Sequence, residues 1–287
     1  MTNAIPVVEE TPARNDGRNG STGTDGHIMP NSIDPQFFLP ALTGTNYYSF
    51  LATMHETLKP ASYIEVGVRK GRAFMSARCP SIAIDPVFKI ERNVIGEKPA
   101  AYFVQKTSDK FFAECNPCEM LNVLHIDMLF LDGMHLCDFL LRDFINGEKL
   151  ARQQSLIVLH DCLPLDIPMT HRGREVVPYP RVHDDSLWTG DVWRVMPILR
   201  KYRPDLTIFC LDCQPTGLVL VTNLDPTCRI LQNNYEDICK EMLAMDLGKI
   251  GLRAYAANLP VLPASEFAST EKLLKCFSFS RTSSVSI

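Results

Sequence analysis

The chain has 287 residues, 46% of them hydrophobic, with a formal charge of −4, which is enough apolar mass for one substantial core of α/β size. An acidic balance without a long basic run provides no field to concentrate polyanions, so nucleic acid is not expected as a partner. No run approaches the roughly 18 apolar residues of a membrane span, and no charged-then-apolar leader opens the chain, so a cytoplasmic protein with no membrane partner is expected.

Residues 1–33 are rich in Gly, Thr, Asn, Asp and Pro without an apolar face, and read as a flexible tail. Over Thr45–Leu58, Tyr48, Leu51, Met54 and Leu58 recur at helical intervals before Pro60, which predicts a helix. From residue 61, short apolar runs alternate with helical lengths, the signature of βαβ units. Strands are expected at Tyr63–Gly67, Ile82–Asp85, Tyr102–Gln105, Ile126–Asp132 and Leu156–Asp161. Helices are expected over Lys70–Arg78, Ser108–Glu114, with Ser108 as its cap, and Asp138–Arg152.

The stretch Cys162–Thr189, rich in proline and charge, breaks the rhythm and reads as an insertion over the active site. A helix near Asp191–Tyr202 follows. Two apolar strands, Leu206–Asp212 and Gly217–Thr222, then form an antiparallel hairpin at the sheet edge. An amphipathic helix over Arg229–Leu247 directs Ile230, Leu231, Ile238, Met242 and Leu243 inward. These signals divide the chain into the tail, a main domain over 34–250 carrying the 162–189 insertion, and a partly mobile extension over 251–287.

Ligands of open parallel sheets bind at the carboxyl ends of the strands. The first strand ends in Glu65, Gly67 and Gly71, in the order Glu-x-Gly-x-x-x-Gly, where glycine permits a tight turn before a helix N-terminus. The second strand ends in Asp85, spaced from Gly67 as an acid that accepts from ribose hydroxyls. Together they favour a nucleoside ligand, and the pattern differs from the three-glycine dinucleotide fingerprint. The fourth strand ends in Asp132-Gly-Met-His135 and the fifth in His160-Asp161. Neighbouring strands would gather these four side chains. His135 has a reference pKa of about 6.5, suited to a general base, and a divalent cation could instead activate an acceptor.

The segments Glu65-Val-Gly-Val-Arg-Lys-Gly71, Ile84-Asp85-Pro86, Thr107-Ser-Asp-Lys-Phe-Phe112, Phe130-Leu-Asp-Gly-Met-His135 and Val158-Leu-His-Asp-Cys162 resemble, in order and spacing, class I S-adenosylmethionine-dependent methyltransferases. The nearest branch contains bacterial sugar and small-molecule O-methyltransferases. The resemblance covers about residues 45–224. It implies an α/β, Rossmann-like, seven-stranded and mostly parallel sheet with helices on both faces and strand order 3-2-1-4-5-7-6, the last strand antiparallel.

The same resemblance implies that Glu65, Gly67 and Gly71 contact the methionine part of the cofactor, Asp85 the ribose, and Ser108 with Asp109 the adenine. From their place at the strand end, Asp132 and His135 are the expected catalytic residues, and the resemblance implies a small-molecule or glycan acceptor. Relatives that bind magnesium place acids at Asp132 and Asp161, and here His160 stands where an oxygen ligand is common. A Mg²⁺ site, an imidazole-tolerant Mn²⁺ or Fe²⁺ site at Asp132, His160 and Asp161, and no metal all remain open. A metal-dependent hydrolase built on Asp132, His135, His160 and Asp161 is an alternative, as is a noncatalytic methyltransferase-like binding protein; a homo-oligomer is compatible with each. His171, His183, Asp184, Asp185 and Trp188 in the insertion read mainly as surface residues. The pairs Cys115/Cys118 and Cys210/Cys213 read as reduced thiols rather than zinc ligands.

Overall fold

The computed structural model describes residues 34–173 and 177–279; the tail expected over 1–33 lies outside the described residues. In chain order the elements are α1 (Tyr47–Leu58), β1 (Tyr63–Val66), β2 (Ser81–Ile84), β3 (Ala101–Val104), α2 (Ser108–Glu114), α3 (Pro117–Leu121), β4 (Met128–Leu131), α4 (Cys137–Lys149) and β5 (Leu156–His160). They continue with α5 (Val195–Tyr202), β6 (Thr207–Leu211), β7 (Leu218–Thr222), α6 (Ile230–Asn233), α7 (Tyr235–Ala244), α8 (Leu247–Ile250), α9 (Leu252–Ala257), β8 (Val261–Leu262) and α10 (Thr270–Cys276).

The strands form one sheet in the order β3-β2-β1-β4-β5-β7-β6-β8. Its first five members are parallel neighbours, and β7 runs antiparallel to both β5 and β6. The protein is therefore an α/β, Rossmann-like fold with a mostly parallel sheet. The expected hairpin is present but is not the edge, because the eighth strand, β8, pairs in parallel with β6. That added strand belongs to the segment after residue 250, which also buries Phe267, Leu273 and Phe277.

Strand alternation divides the apolar residues between two cores. Ile64, Ile82, Leu129 and Ile157 face α4, α5 and α7 on one side of the sheet. Tyr63, Ala83, Phe130 and Val158 face α1 and α10 on the other. Asn46 caps α1 by accepting from the Tyr48 N–H, and Tyr47, Phe50, Leu51, Met54 and Leu58 are buried. Among the described residues, no helix is long and apolar enough to cross a membrane.

Three local expectations need correction. No α-helix follows β1; the chain makes only a 3-10 turn at Phe74–Ser76, after left-handed backbone at Arg69 and Gly71. The cap of α2 is Thr107, whose hydroxyl accepts from the Lys110 N–H, and not Ser108. The long helix expected from Arg229 breaks at Asn234 into α6 and α7; Leu231, Ile238 and Met242 are buried, whereas Ile230 and Leu243 are exposed.

Candidate active site

The carboxyl ends of β1, β4 and β5 open into a cavity of about 320 Å³, a size suited to a small molecule. Glu65, Gly67, Asp132, His135, His160 and Asp161 line it, together with Tyr48 and the cations Arg69, Lys70 and Arg72. Of the predicted site residues, these six are the ones brought together.

Glu65 is the third residue of β1 and is buried. Burial pushes its carboxyl up to about 8 despite the hydrogen bond donated by the Tyr63 hydroxyl at 2.7 Å. The group is thus mostly neutral at pH 7. Gly67 turns the chain at φ +87°, and a Cβ there would collide with the Asp132 carbonyl, so the glycine is required by the close approach of two strand ends. Gly71, at φ +74°, is crowded by the side chain of Val94.

The turn is closed by its own amides. Gly67 and Val68 donate to the Ile84 carbonyl, Gly71 donates to Val68, and Arg69 donates to the Asp85 carboxylate at 2.7 Å. Asp85 also accepts from the Val87 N–H at 2.7 Å. It therefore braces the turn from the end of β2 and is not part of the cavity wall. The α-helix expected beyond Gly71 is absent; the chain there closes a single turn, in which the Met75 N–H donates to the Gly71 carbonyl. Ser108 and Asp109 also lie off the wall: Asp109 holds the Arg142 guanidinium through both oxygens, at 2.8 and 2.9 Å.

At the other wall, Asp132 follows β4 and Asp161 follows β5, parallel neighbours in register. His160 Nδ1 lies 3.0 Å from Asp132 and 3.3 Å from Asp161, while its buried Nε2 has no partner. The Tyr47 ring lies against the His160 imidazole, with centroids 4.1 Å apart. His135 Nδ1 lies 2.9 Å from Asp161 and its Nε2 3.6 Å from Asp132. Both His135 and Asp161 adopt left-handed backbone, at φ 55° and 62°, a costly conformation for such residues that here turns both side chains inward.

Burial disfavours the imidazolium of His135, but the carboxylates of Asp161 and Asp132 outweigh it and raise the group to about 9. His160 is raised in the same way, against burial, by the same two carboxylates. Burial disfavours the Asp161 carboxylate, and the two imidazoles hold it well below the usual range; the Thr216 hydroxyl also donates to it.

Asp132, His135 and Asp161 each offer a ligand atom within 4.8 Å of the others. The trio that can share a cation thus contains His135, where His160 was expected. Two carboxylates and one imidazole suit Mn²⁺ at least as well as Mg²⁺.

The insertion contributes more than the sequence suggests. Asp166, fully buried, accepts from the amides of Met169, Val182 and His183 and pairs with Arg181, which organises a loop without regular structure. Trp188 stacks on His135 with centroids 5.1 Å apart and planes within 2°, and its carbonyl lies 2.9 Å from His135 Nδ1. The buried Asp191 accepts from the Cys137 N–H at 2.8 Å and so caps α4 from outside. In the sequence Trp188 looks like a surface residue, because its partner is 53 positions away.

No family model matches the chain, and no curated protein matches it. Among solved structures it is similar to the O-methyltransferase from Bacillus cereus in complex with SAH, at 15% identity and TM-score 0.45, covering 64% of this chain and 84% of that one. It is also similar to the O-methyltransferase TomG from Streptomyces achromogenes, at 15% identity and TM-score 0.41, covering 65% and 84%. A third likeness is to the SAH-bound methyltransferase of Podospora anserina, at 12% identity and TM-score 0.41, covering 62% and 78%. At these scores the likenesses carry nothing about activity.

Proposed function

We propose that the protein is an S-adenosylmethionine-dependent methyltransferase acting on a hydroxyl of a sugar or other polar small molecule. The observation that supports this best is a single cavity with two unlike walls: Glu65 and the Gly67 turn on one side, and Asp132, His135 and Asp161 on the other. The residues present fit the amino-acid end of the cofactor, since the Glu65 carboxyl faces the cavity and can accept from an ammonium, while Asp85, Ser108 and Asp109 stand outside its wall. When bound, S-adenosylmethionine supplies a methyl group on a positively charged sulfur, so the protein need only align the acceptor oxygen and remove its proton.

Removing that proton falls to the second wall. His135 holds a proton at neutral pH because two carboxylates face it, so its use as a base requires that proton to leave first. Replacing the proton by a divalent cation at Asp132, His135 and Asp161 is the route the donor set offers, and a cation there would lower the pKa of the acceptor hydroxyl. Trp188 keeps the imidazole plane fixed in either role. A metal-dependent hydrolase would use the same three ligands but leaves the Glu65 wall without a task.

Calorimetry of the full chain with S-adenosylmethionine, with and without Mn²⁺ or Mg²⁺, tests the proposal, and labelled methyl transfer to a panel of hydroxyl acceptors follows. Binding of the cofactor is the expected result. Stoichiometric metal with no affinity for the cofactor would favour the hydrolase, and no binding of either would overturn both readings.

A further inference from the structure

The turn after β1 places three cations, Arg69, Lys70 and Arg72, within four residues of a chain whose net charge is −4. All three are exposed, and all three line the mouth of the cavity. Five other arginines, Arg142, Arg172, Arg181, Arg194 and Arg203, each hold a carboxylate. Among the described residues no carboxylate pairs with Arg69, Lys70 or Arg72. Among the described residues, the Arg72 guanidinium lies 5.9 Å from the centroid of the Tyr48 ring, another residue of the cavity wall.

The turn itself is rigid in the way such a rim needs. The Arg69 N–H is tied to Asp85 and its carbonyl accepts from the Lys89 N–H at 2.7 Å, while its backbone sits at φ 44°, where glycine would cost less. The amides of Gly67, Val68, Arg69 and Gly71 are spent inside the protein. These four amides are therefore closed to an anion at this mouth, which is met first by the three side-chain cations. The carboxylate of a bound methionine moiety can satisfy one cation, which leaves positive charge over.

We infer that the mouth of the cavity, at Arg69, Lys70 and Arg72, is a subsite for an oxyanion on the acceptor, a phosphate or carboxylate carried by the molecule whose hydroxyl is methylated. Naming the ligand an acceptor rests on the methyltransferase reading; the anion subsite rests on the cavity alone. The acceptor is then bipolar, its hydroxyl directed to Asp132 and His135 and its anion held outward at the rim.

The test titrates inorganic phosphate and, separately, succinate into the full chain saturated with S-adenosylhomocysteine, so that a donor carboxylate is already seated. Saturable binding is expected, weakened at least tenfold in Lys70→Ala/Arg72→Ala and by raised NaCl, and restored towards wild type in Lys70→Arg/Arg72→Lys. Circular dichroism establishes that the variants are folded. The tighter of the two anions distinguishes a phosphate from a carboxylate acceptor. Two results overturn the inference: neither anion binds the complex, or the double variant loses S-adenosylhomocysteine while anion binding is unchanged, which assigns the cations to the donor. If S-adenosylhomocysteine does not bind, the methyltransferase reading fails separately. The same titration on the free protein then decides the subsite, with binding lost in the double variant upholding it and no binding refuting it.

Discussion

Substituting Glu65 by Gln isolates the cost of a buried ionisable group beneath the cavity. The folded carboxyl titrates at about 8 against 4.5 for an exposed one, with desolvation as the main cause. Between these values the folded protein holds a proton that the unfolded chain releases. Stability from this group is therefore fully present below pH 4.5 and is lost as pH rises to about 8. The difference between about 8 and 4.5, at about 1.4 kcal/mol per unit, amounts to an upper limit on the order of 5 kcal/mol. Glutamine keeps the acceptor for the Tyr63 hydroxyl but cannot ionise. Urea unfolding at pH 5, 7 and 9 should show the variant near wild type at pH 5 and several kcal/mol more stable at pH 9. Asp143, also pushed up by burial to about 7, lowers the stability of both proteins alike and cancels in the comparison. Parallel stability profiles from pH 5 to 9, differing by less than about 1 kcal/mol throughout, would refute a neutral Glu65.

Gly67→Ala should destabilise by about 1–3 kcal/mol through its left-handed backbone alone, and more through the collision with the Asp132 carbonyl; thermal unfolding and cofactor calorimetry should both register the loss. His135, raised to about 9 from 6.5, contributes stability that is present below pH 6.5 and disappears as pH climbs to about 9. His135→Gln should flatten that part of the pH profile by at most about 3 kcal/mol, and an unchanged slope would contradict the imidazolium. Mn²⁺ titrated into the wild type near pH 7 should release close to one proton, read from calorimetry in buffers of different ionisation enthalpy. Phe267→Ala, which empties a fully buried position against Phe209 of β6 and Phe277, should cost about 3–5 kcal/mol; a loss below 1 kcal/mol would mean that the segment after residue 250 adds little to the fold.

The parallel sheet was legible because its strands are short apolar runs whose burial leaves a plain signal, and five of them end in residues that disrupt the run. The Asp132, His135, His160 and Asp161 cluster was legible for the same reason, since strand ends in register must meet. What sequence could not supply was tertiary. The Lys70–Arg78 segment has helical composition, yet a turn locked by Asp85 and crowded at Gly71 by Val94 leaves it one 3-10 turn. Asp85 has the spacing of a ribose-binding acid, and that spacing cannot reveal that both its oxygens accept from backbone amides. Trp188 and Asp191 act on His135 and α4 from more than 50 residues away, where no periodicity reaches. The pair Tyr47-Tyr48 at the start of a helix, followed by three cations in the glycine turn, was the signal for the cavity rim.

The contact between the insertion and the strand-four loop has a kinetic consequence. Gly190, at φ +56°, leaves no room for a Cβ against the His135 carbonyl, and the adjoining Asp191 N–H donates to that same carbonyl while its carboxylate caps α4. The C-terminal end of the loop is thereby welded to His135, a member of the Asp132, His135 and Asp161 cluster. Any opening there would unseat His135 and uncap α4 together, so the rate at which this end of the insertion opens is also the rate at which the cluster comes apart.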